Sequence, residues 1–179
     1  MLDSTDAPAW QPMSSEDLPA VAQIAAIVHP THPEDAEVAA ERLRLYPAGC
    51  LVLCRGTAVI GYALSHPWRL AAPPPLNSAL GRLPAMADTF YLHDLALLPA
   101  ARGRHAGRSG VSRLLARARA DGFVRASLVA VSGSVAFWQR QGFAIRSDPA
   151  VAAKLASYGA DARFMVRELP SAAARTVRR

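Results

Sequence analysis

The apolar positions of this chain change period several times, and each change marks an element. Trp10 to Met13 reads as a short extended segment. Ser14-Ser15-Glu16-Asp17 then gives a helix-start signal, with carboxylates where the helix dipole is positive. Leu18, Val21, Ala22, Ala25 and Val28 follow at helical spacing. Pro30 and Pro33 end that helix, and a second begins near Pro33-Glu34-Asp35 and runs to about Leu45, with Val38 and Leu43 inward. Two apolar runs, 50–54 and 59–64, are joined by Arg55-Gly56-Thr57, a hairpin-length connection with a glycine free to take a positive φ. Residues 66–88 carry Pro67, Pro73, Pro74, Pro75 and Pro84 and no period, which predicts a long loop of the functional or disordered kind.

From Thr89 the pattern sharpens. Tyr91-Leu92-His93-Asp94-Leu95-Ala96-Leu97-Leu98 predicts a central strand stopped by Pro99. A turn rich in glycine and arginine leads into a helix with Val111, Leu114, Leu115 and Ala118 on one face and Arg113, Arg117 and Arg119 outside, closed near Asp121-Gly122. A strand at 126–131, a short helix at about 134–141 capped by Gly142, and a strand opening with Phe143-Ala144-Ile145 come next. After a small-residue stretch containing Tyr158-Gly159, a last strand covers 163–169. The order is one strand, two helices, three strands, helix, strand, helix, two strands. No repeat or linker divides it, so 1–179 reads as one domain with a core of about 8–170 and a flexible basic tail over 171–179.

Composition refines this picture in three places. With 51% hydrophobic and 19% charged residues, the chain is globular rather than disordered. Its two cysteines, Cys50 and Cys54, lie four apart on a predicted strand and so share a face, as buried thiols rather than a disulfide. No apolar run approaches the roughly 18 residues a membrane helix needs. The N-terminus lacks the basic and apolar regions of a secretion signal, so a cytoplasmic location without a membrane partner is expected. The net charge of +6 rests on nineteen arginines and one lysine; seven of the arginines fall between 102 and 125, which points to an anionic partner.

That anion has an obvious place in Arg102-Gly103-Arg104-His105-Ala106-Gly107-Arg108, between strand and helix. A helix N-terminus offers unpaired N–H groups and a positive dipole end. Small residues admit a phosphate to the backbone, and arginines add paired donors. No Gly-Lys-Ser/Thr follows, so this is not a P-loop, and the dinucleotide-binding glycine pattern is absent. His29 and His32 flank a proline turn without the cysteine or carboxylate spacing that would complete a metal site, and no metal is expected.

Leu95-Ala96-Leu97-Leu98-Pro99, the turn 102–107 and the helix to Asp121-Gly122-Phe123 resemble the acetyl-coenzyme A segment of the Gcn5-related N-acetyltransferases, whose loop reads Q/R-x-x-G-x-G/A. Arg102 fills its first position and Gly107 its last, while His105 stands at the middle glycine. Ser134-Val135-Ala136-Phe137-Trp138-Gln139-Arg140-Gln141-Gly142-Phe143 resembles the family's second signature. The resemblance implies an α/β (α+β) fold of the GNAT type, a mixed central sheet of about seven strands flanked by helices. It further implies a bulge in the fourth strand, and strands four and five splayed to hold acetyl-coenzyme A.

It also implies an N-acetyltransferase. Leu95, Ala96 and Leu97 would meet the pantetheine arm, and Arg102, Gly103, Arg104, His105, Ala106, Gly107 and Arg108 the pyrophosphate, with Ser134 and Trp138 touching the cofactor from the second signature. His93 and Asp94 are the candidate bases, placed on opposite faces by period two, and histidine titrates in the useful range. Trp138 occupies the position of the family's acidic tyrosine, which leaves Tyr158 as the candidate acid. His66 and Trp68 in the long loop, with Tyr91, are candidate acceptor contacts. A small-molecule amine is favoured over a protein lysine or N-terminus. A noncatalytic acetyl-coenzyme A module stays open, as does a homodimer, and no nucleic-acid partner is expected.

Overall fold

The computed structural model describes residues 7–103 and 105–170. Arg104 and the tail 171–179, to which the sequence reading assigns cofactor contact and flexibility, lie outside the described residues. The elements are β1 (Ala9–Pro12), α1 (Leu18–Val28), α2 (Ala36–Leu45), β2 (Cys50–Arg55), β3 (Ala58–Trp68), β4 (Thr89–Leu97), α3 (Ala106–Ala120), β5 (Arg125–Ala130), α4 (Val135–Arg140), β6 (Ala144–Ile145), α5 (Pro149–Leu155) and β7 (Arg163–Glu168). They build a seven-stranded mixed sheet in the order β1-β2-β3-β4-β5-β7-β6. Only β4 and β5 run parallel, and they pair only at Phe90–Ala126 and Tyr91–Ser127 before separating.

Each face of the sheet is buried by helices whose apolar stripe the sequence carries. On one side Val111, Leu114, Leu115 and Ala118 of α3 pack with Phe90, Leu92, Leu128 and Trp138; full burial of such a leucine contributes about 1.5–3 kcal/mol. On the other, Val21 and Ile24 of α1 meet Cys50, Val52, Tyr62 and Leu64. Both cysteines are unbonded thiols packed toward that second face. Gly122, at φ 81°, closes α3 with a left-handed residue. Trp10 ties the sheet edge to the start of α3: its indole Nε1 donates to the Ala106 carbonyl at 2.9 Å, and its ring lies against Gly110, where a Cβ would come within 2.6 Å of it.

Three expectations need correction. His66 and Trp68 are on β3, not in a loop; β3 pairs with β4 as far as Trp68–Thr89. Beyond Leu64 its other edge has left β2 behind, so Pro67 can sit on a strand whose missing N–H costs no ladder bond. The irregular stretch therefore begins at Arg69. Second, a helix, α5, fills the small-residue stretch before the last strand. Asp148 caps it through the Ala150 N–H, and Val151 packs on Phe164 and Val166. Third, Leu64 faces Asp94 while Ser65 faces Leu92, which leaves His93 as an extra residue in β4. This bulge breaks the alternation, so His93 and Asp94 do not point to opposite faces. Both turn toward the α1–α2 connection, where they meet Glu34 and His29.

The stretch 69–88 is tied down rather than loose. Glu41 of α2 accepts the N–H groups of Leu80 and Gly81, and buried Arg42 donates to the Ser78 carbonyl. Asn77 donates its N–H to the Glu34 carboxylate and exchanges bonds with Asp35.

Two outcomes are expected. Gly110→Ala forces its methyl into the Trp10 ring and should lower stability by about 1–3 kcal/mol in urea unfolding; an unchanged midpoint would contradict this packing. Burial, followed by the charge of His93, pushes the His66 imidazole down to about 3, whereas the unfolded chain takes up that proton near pH 6.5. The folded-state value is the lower one, so this contribution to stability is complete above about pH 6.5 and is lost as pH falls toward 3. His66→Phe keeps the ring and removes the proton. Its stability should therefore fall less than that of the wild type between pH 7 and pH 5, and equal falls would show that His66 titrates normally.

Candidate active site

Where β4 leaves β5, the strand edge has no ladder partner among the described residues, and a groove of about 840 Å³ opens beside it. Leu95 and Leu97 of β4 form its floor, and Val28 at the end of α1 forms one side. Phe137 and Arg140 of α4, with Gln141 just past its end, form the other, and the groove ends on the turn before α3. The first intrahelical bond of α3 runs from Ser109 N–H to the His105 carbonyl. The amides of Ala106, Gly107 and Arg108 precede it, on the groove lining, and a helix leaves such amides without an internal acceptor.

The turn has the backbone its glycines require. Gly103 takes φ 82° with open space around it. His105, where the resemblance places a glycine, takes φ 59° and ψ 7° as the residue that caps α3. Histidine is among the few side chains that enter this left-handed region at modest cost, so the substitution preserves the turn. Gly107 is buried, and a Cβ on it would sit 3.2 Å from the Phe137 ring, so α3 and α4 close together at this point. Arg102 folds back, its Nε donating to the Leu97 carbonyl at 3.2 Å.

Next to the groove, two residues before Leu95, lies a double histidine–carboxylate cluster. His93 Nε2 stands 3.0 Å from Glu34 Oε2, and His29 Nε2 stands 2.8 Å from Asp94 Oδ1. The second carboxylate oxygen of Asp94 accepts from the Tyr62 hydroxyl. Burial pushes the Glu34 carboxyl up, but the hydrogen bond and charge of His93, with the Asn77 N–H, outweigh it and hold the group below its ordinary value. The same balance holds for Asp94: burial raises it, while the bond and charge of His29 and the Tyr62 hydroxyl bring it lower. Burial depresses the His29 imidazole, yet Asp94 leaves it above its usual value. Both acids are thus ionised acceptors, and each histidine must donate its Nε2–H. In the neutral imidazole this places the lone pair of His93 on Nδ1, a buried atom with no hydrogen-bond partner among the described residues. His66 has the mirror arrangement: Nδ1 lies 3.1 Å from the Pro67 carbonyl, and Nε2 is buried without a partner among the described residues. Its ring meets Trp68 edge to face and lies tilted against Tyr91 and His93.

Eight of the twelve predicted cofactor contacts converge. Leu95, Leu97, Arg102, Gly103, His105, Ala106, Gly107 and Arg108 line one groove. Ala96 faces the α1–α2 core and can reach the groove only through its backbone. Ser134 caps α4 outside the groove lining, and Trp138 turns into the core against Phe137 and Phe143. Tyr158 is buried, and its hydroxyl donates to the Pro74 carbonyl, away from the groove. Burial lifts that phenol to about 12. Sequence reasoning missed Glu34, His29 and Phe137. The first two had a signal, since they sit in a proline turn dense in titratable groups; Phe137 was hidden because either aromatic of the Phe137-Trp138 pair could face the groove.

Residues 14–143 match the model of the acetyltransferase (GNAT) family. No curated protein matches the chain by sequence. Among solved structures, the loading GNATL domain of CurA from Lyngbya majuscula is 12% identical with a TM-score of 0.74, over 90% of this chain and 98% of that one. Ard1 from Thermoplasma volcanium is 15% identical with a TM-score of 0.70, over 92% and 99%. Rv2747 from Mycobacterium tuberculosis, solved in complex with CoA, is 15% identical with a TM-score of 0.68, over 90% and 99%. Those likenesses establish the fold, and the sequence match extends across most of the described chain, from the start of α1 to the end of α4: the protein belongs to the acetyltransferase (GNAT) family.

Proposed function

We propose that the protein is an acetyl-coenzyme A-dependent N-acetyltransferase acting on the primary amine of a small molecule. The observation that carries this reading is the parting of β4 from β5 beside a groove that ends on the N-terminus of α3. The residues present fit the cofactor. Amides of Ala106, Gly107 and Arg108, the open left-handed Gly103, and Arg102 and Arg108 suit a pyrophosphate, and the bare edge of β4 at Leu95 and Leu97 suits the amide groups of pantetheine. The coenzyme A in the Rv2747 neighbour supports the same assignment. When bound, acetyl-coenzyme A supplies the acyl thioester.

The chain's own contribution to chemistry is proton handling. His93 accepts the proton of the attacking amine at Nδ1, while the Glu34 carboxylate, bonded to Nε2–H, fixes the tautomer and stabilises the imidazolium that results. Asp94 orients His29 and sets a second anionic charge beside the acceptor, which favours a cationic amine on arrival. A small acceptor is favoured because three segments are bonded together across that side. Asn77 holds the α1–α2 connection, Tyr158 holds Pro74, and His32 Nε2 meets the Tyr158 carbonyl at 2.9 Å. An extended peptide needs an open channel there. One domain covers these parts.

A panel of small amines screened for release of free coenzyme A tests the activity. His93→Gln should lower kcat by about 10²-fold or more while the dissociation constant for acetyl-coenzyme A stays unchanged. A kcat equal to wild type would remove His93 as the base.

A further inference from the structure

A second cavity, of about 370 Å³, lies beyond the end of the groove between the outer flank of α3, the end of α4 and β7. Among the described residues four guanidinium groups line it, those of Arg108, Arg119, Arg140 and Arg167, and no carboxylate does. Among the described residues none of the four makes an ion pair. Arg42, Arg117 and Arg125, by contrast, each have a carboxylate partner. Two of the four are built in. Arg167 lies across Gly142, where a Cβ would approach its Cζ to 3.3 Å, and it donates to the Gln141 carbonyl. Arg119 Nη1 donates to the Leu115 carbonyl at 3.3 Å. Each keeps several N–H donors free. Burial, then the charge of Arg119, lowers the Arg167 guanidinium, as expected of like charges gathered without a counter-ion.

Arg108, Arg140 and Gln141 line both this cavity and the groove. A ligand with its pyrophosphate at the turn therefore ends beside the arginine cavity, with these residues as the shared wall. We infer that the cavity formed by Arg108, Arg119, Arg140 and Arg167 is a binding site for a phosphomonoester dianion, and that its occupant is the 3′-phosphate at the nucleotide end of coenzyme A. The inference rests on the cofactor reading above. The site would make the enzyme select coenzyme A against its 3′-dephospho form, a choice that the groove alone cannot make. Guanidinium forks suit this task, because a phosphate with two charges accepts paired, charge-assisted bonds.

Calorimetric titration of the full chain with coenzyme A and with 3′-dephospho-coenzyme A tests this, alongside Arg119→Gln and Arg167→Gln, two positions outside the groove. The wild type should bind coenzyme A about tenfold or more tightly than the dephospho form. Each variant should reduce that ratio severalfold without changing affinity for the dephospho form. Since Arg167 also braces Gly142, the Arg119 variant decides if the Arg167 variant does not fold. Equal wild-type affinities for the two forms, with inorganic phosphate raising the Tm of the coenzyme A-loaded wild type but not of Arg119→Gln, would assign the same site to a free phosphate. Equal affinities with no phosphate effect would overturn the site and leave the cofactor groove standing. Binding of neither form would refute the groove itself, and the phosphate titration would then decide the arginine cavity alone.

Discussion

Parallel pairing between β4 and β5 lasts for two residue pairs and is fastened at its closed end by a buried hydrogen bond from Thr89 Oγ1 to Ser127 Oγ at 2.9 Å. Past that point each strand gives up hydrogen bonds that a continuous ladder would make. An interior sheet edge left bare is costly unless something else meets its polar groups. The separation is held by packing on both sides. Phe137 and Trp138 stand on the α4 side, with Trp138 in the core, and the β4 bulge adds twist where the strands diverge. The groove and its contact with the end of α3 follow from this gap.

The bulge has a second consequence, in chemistry rather than shape. One extra residue at His93 brings two consecutive titratable side chains onto one face. There the proline turn after α1 meets them with a complementary pair, Glu34 for His93 and His29 for Asp94. Charges buried this way persist because each is paired and hydrogen-bonded. The pairing also fixes which imidazole nitrogen carries the proton and which keeps a free lone pair.

Much of this was legible in the chain. The face of α3 appeared with the residues predicted for it, because Val111, Leu114, Leu115 and Ala118 obey a helical period that packing only reinforces. The predicted cofactor contacts that line the groove converged for a similar reason: they are contiguous, so local turn geometry places most of them. The predicted proton-transfer residues were less legible. The resemblance implied a bulge in the fourth strand but not its position, so strict alternation was applied to His93 and Asp94, and the extra residue at 93 breaks it. Prolines made Pro67 look like a loop signal, although a half-free strand edge tolerates it. The stretch before Tyr158 lacked large apolar residues, so α5, which buries Val151 on the sheet, left no strong period. Partners distant in sequence, such as Glu34 for His93, are set by tertiary contact alone.

The most direct measurement is a titration of isotope-labelled protein with acetyl-coenzyme A, followed by backbone amide NMR. Saturable shifts centred on Leu95, Leu97 and Ala106 to Arg108, with slowed amide exchange along the free edge of β4, are the predicted result. Absence of binding, or shifts that spare β4 and the start of α3, would contradict the account.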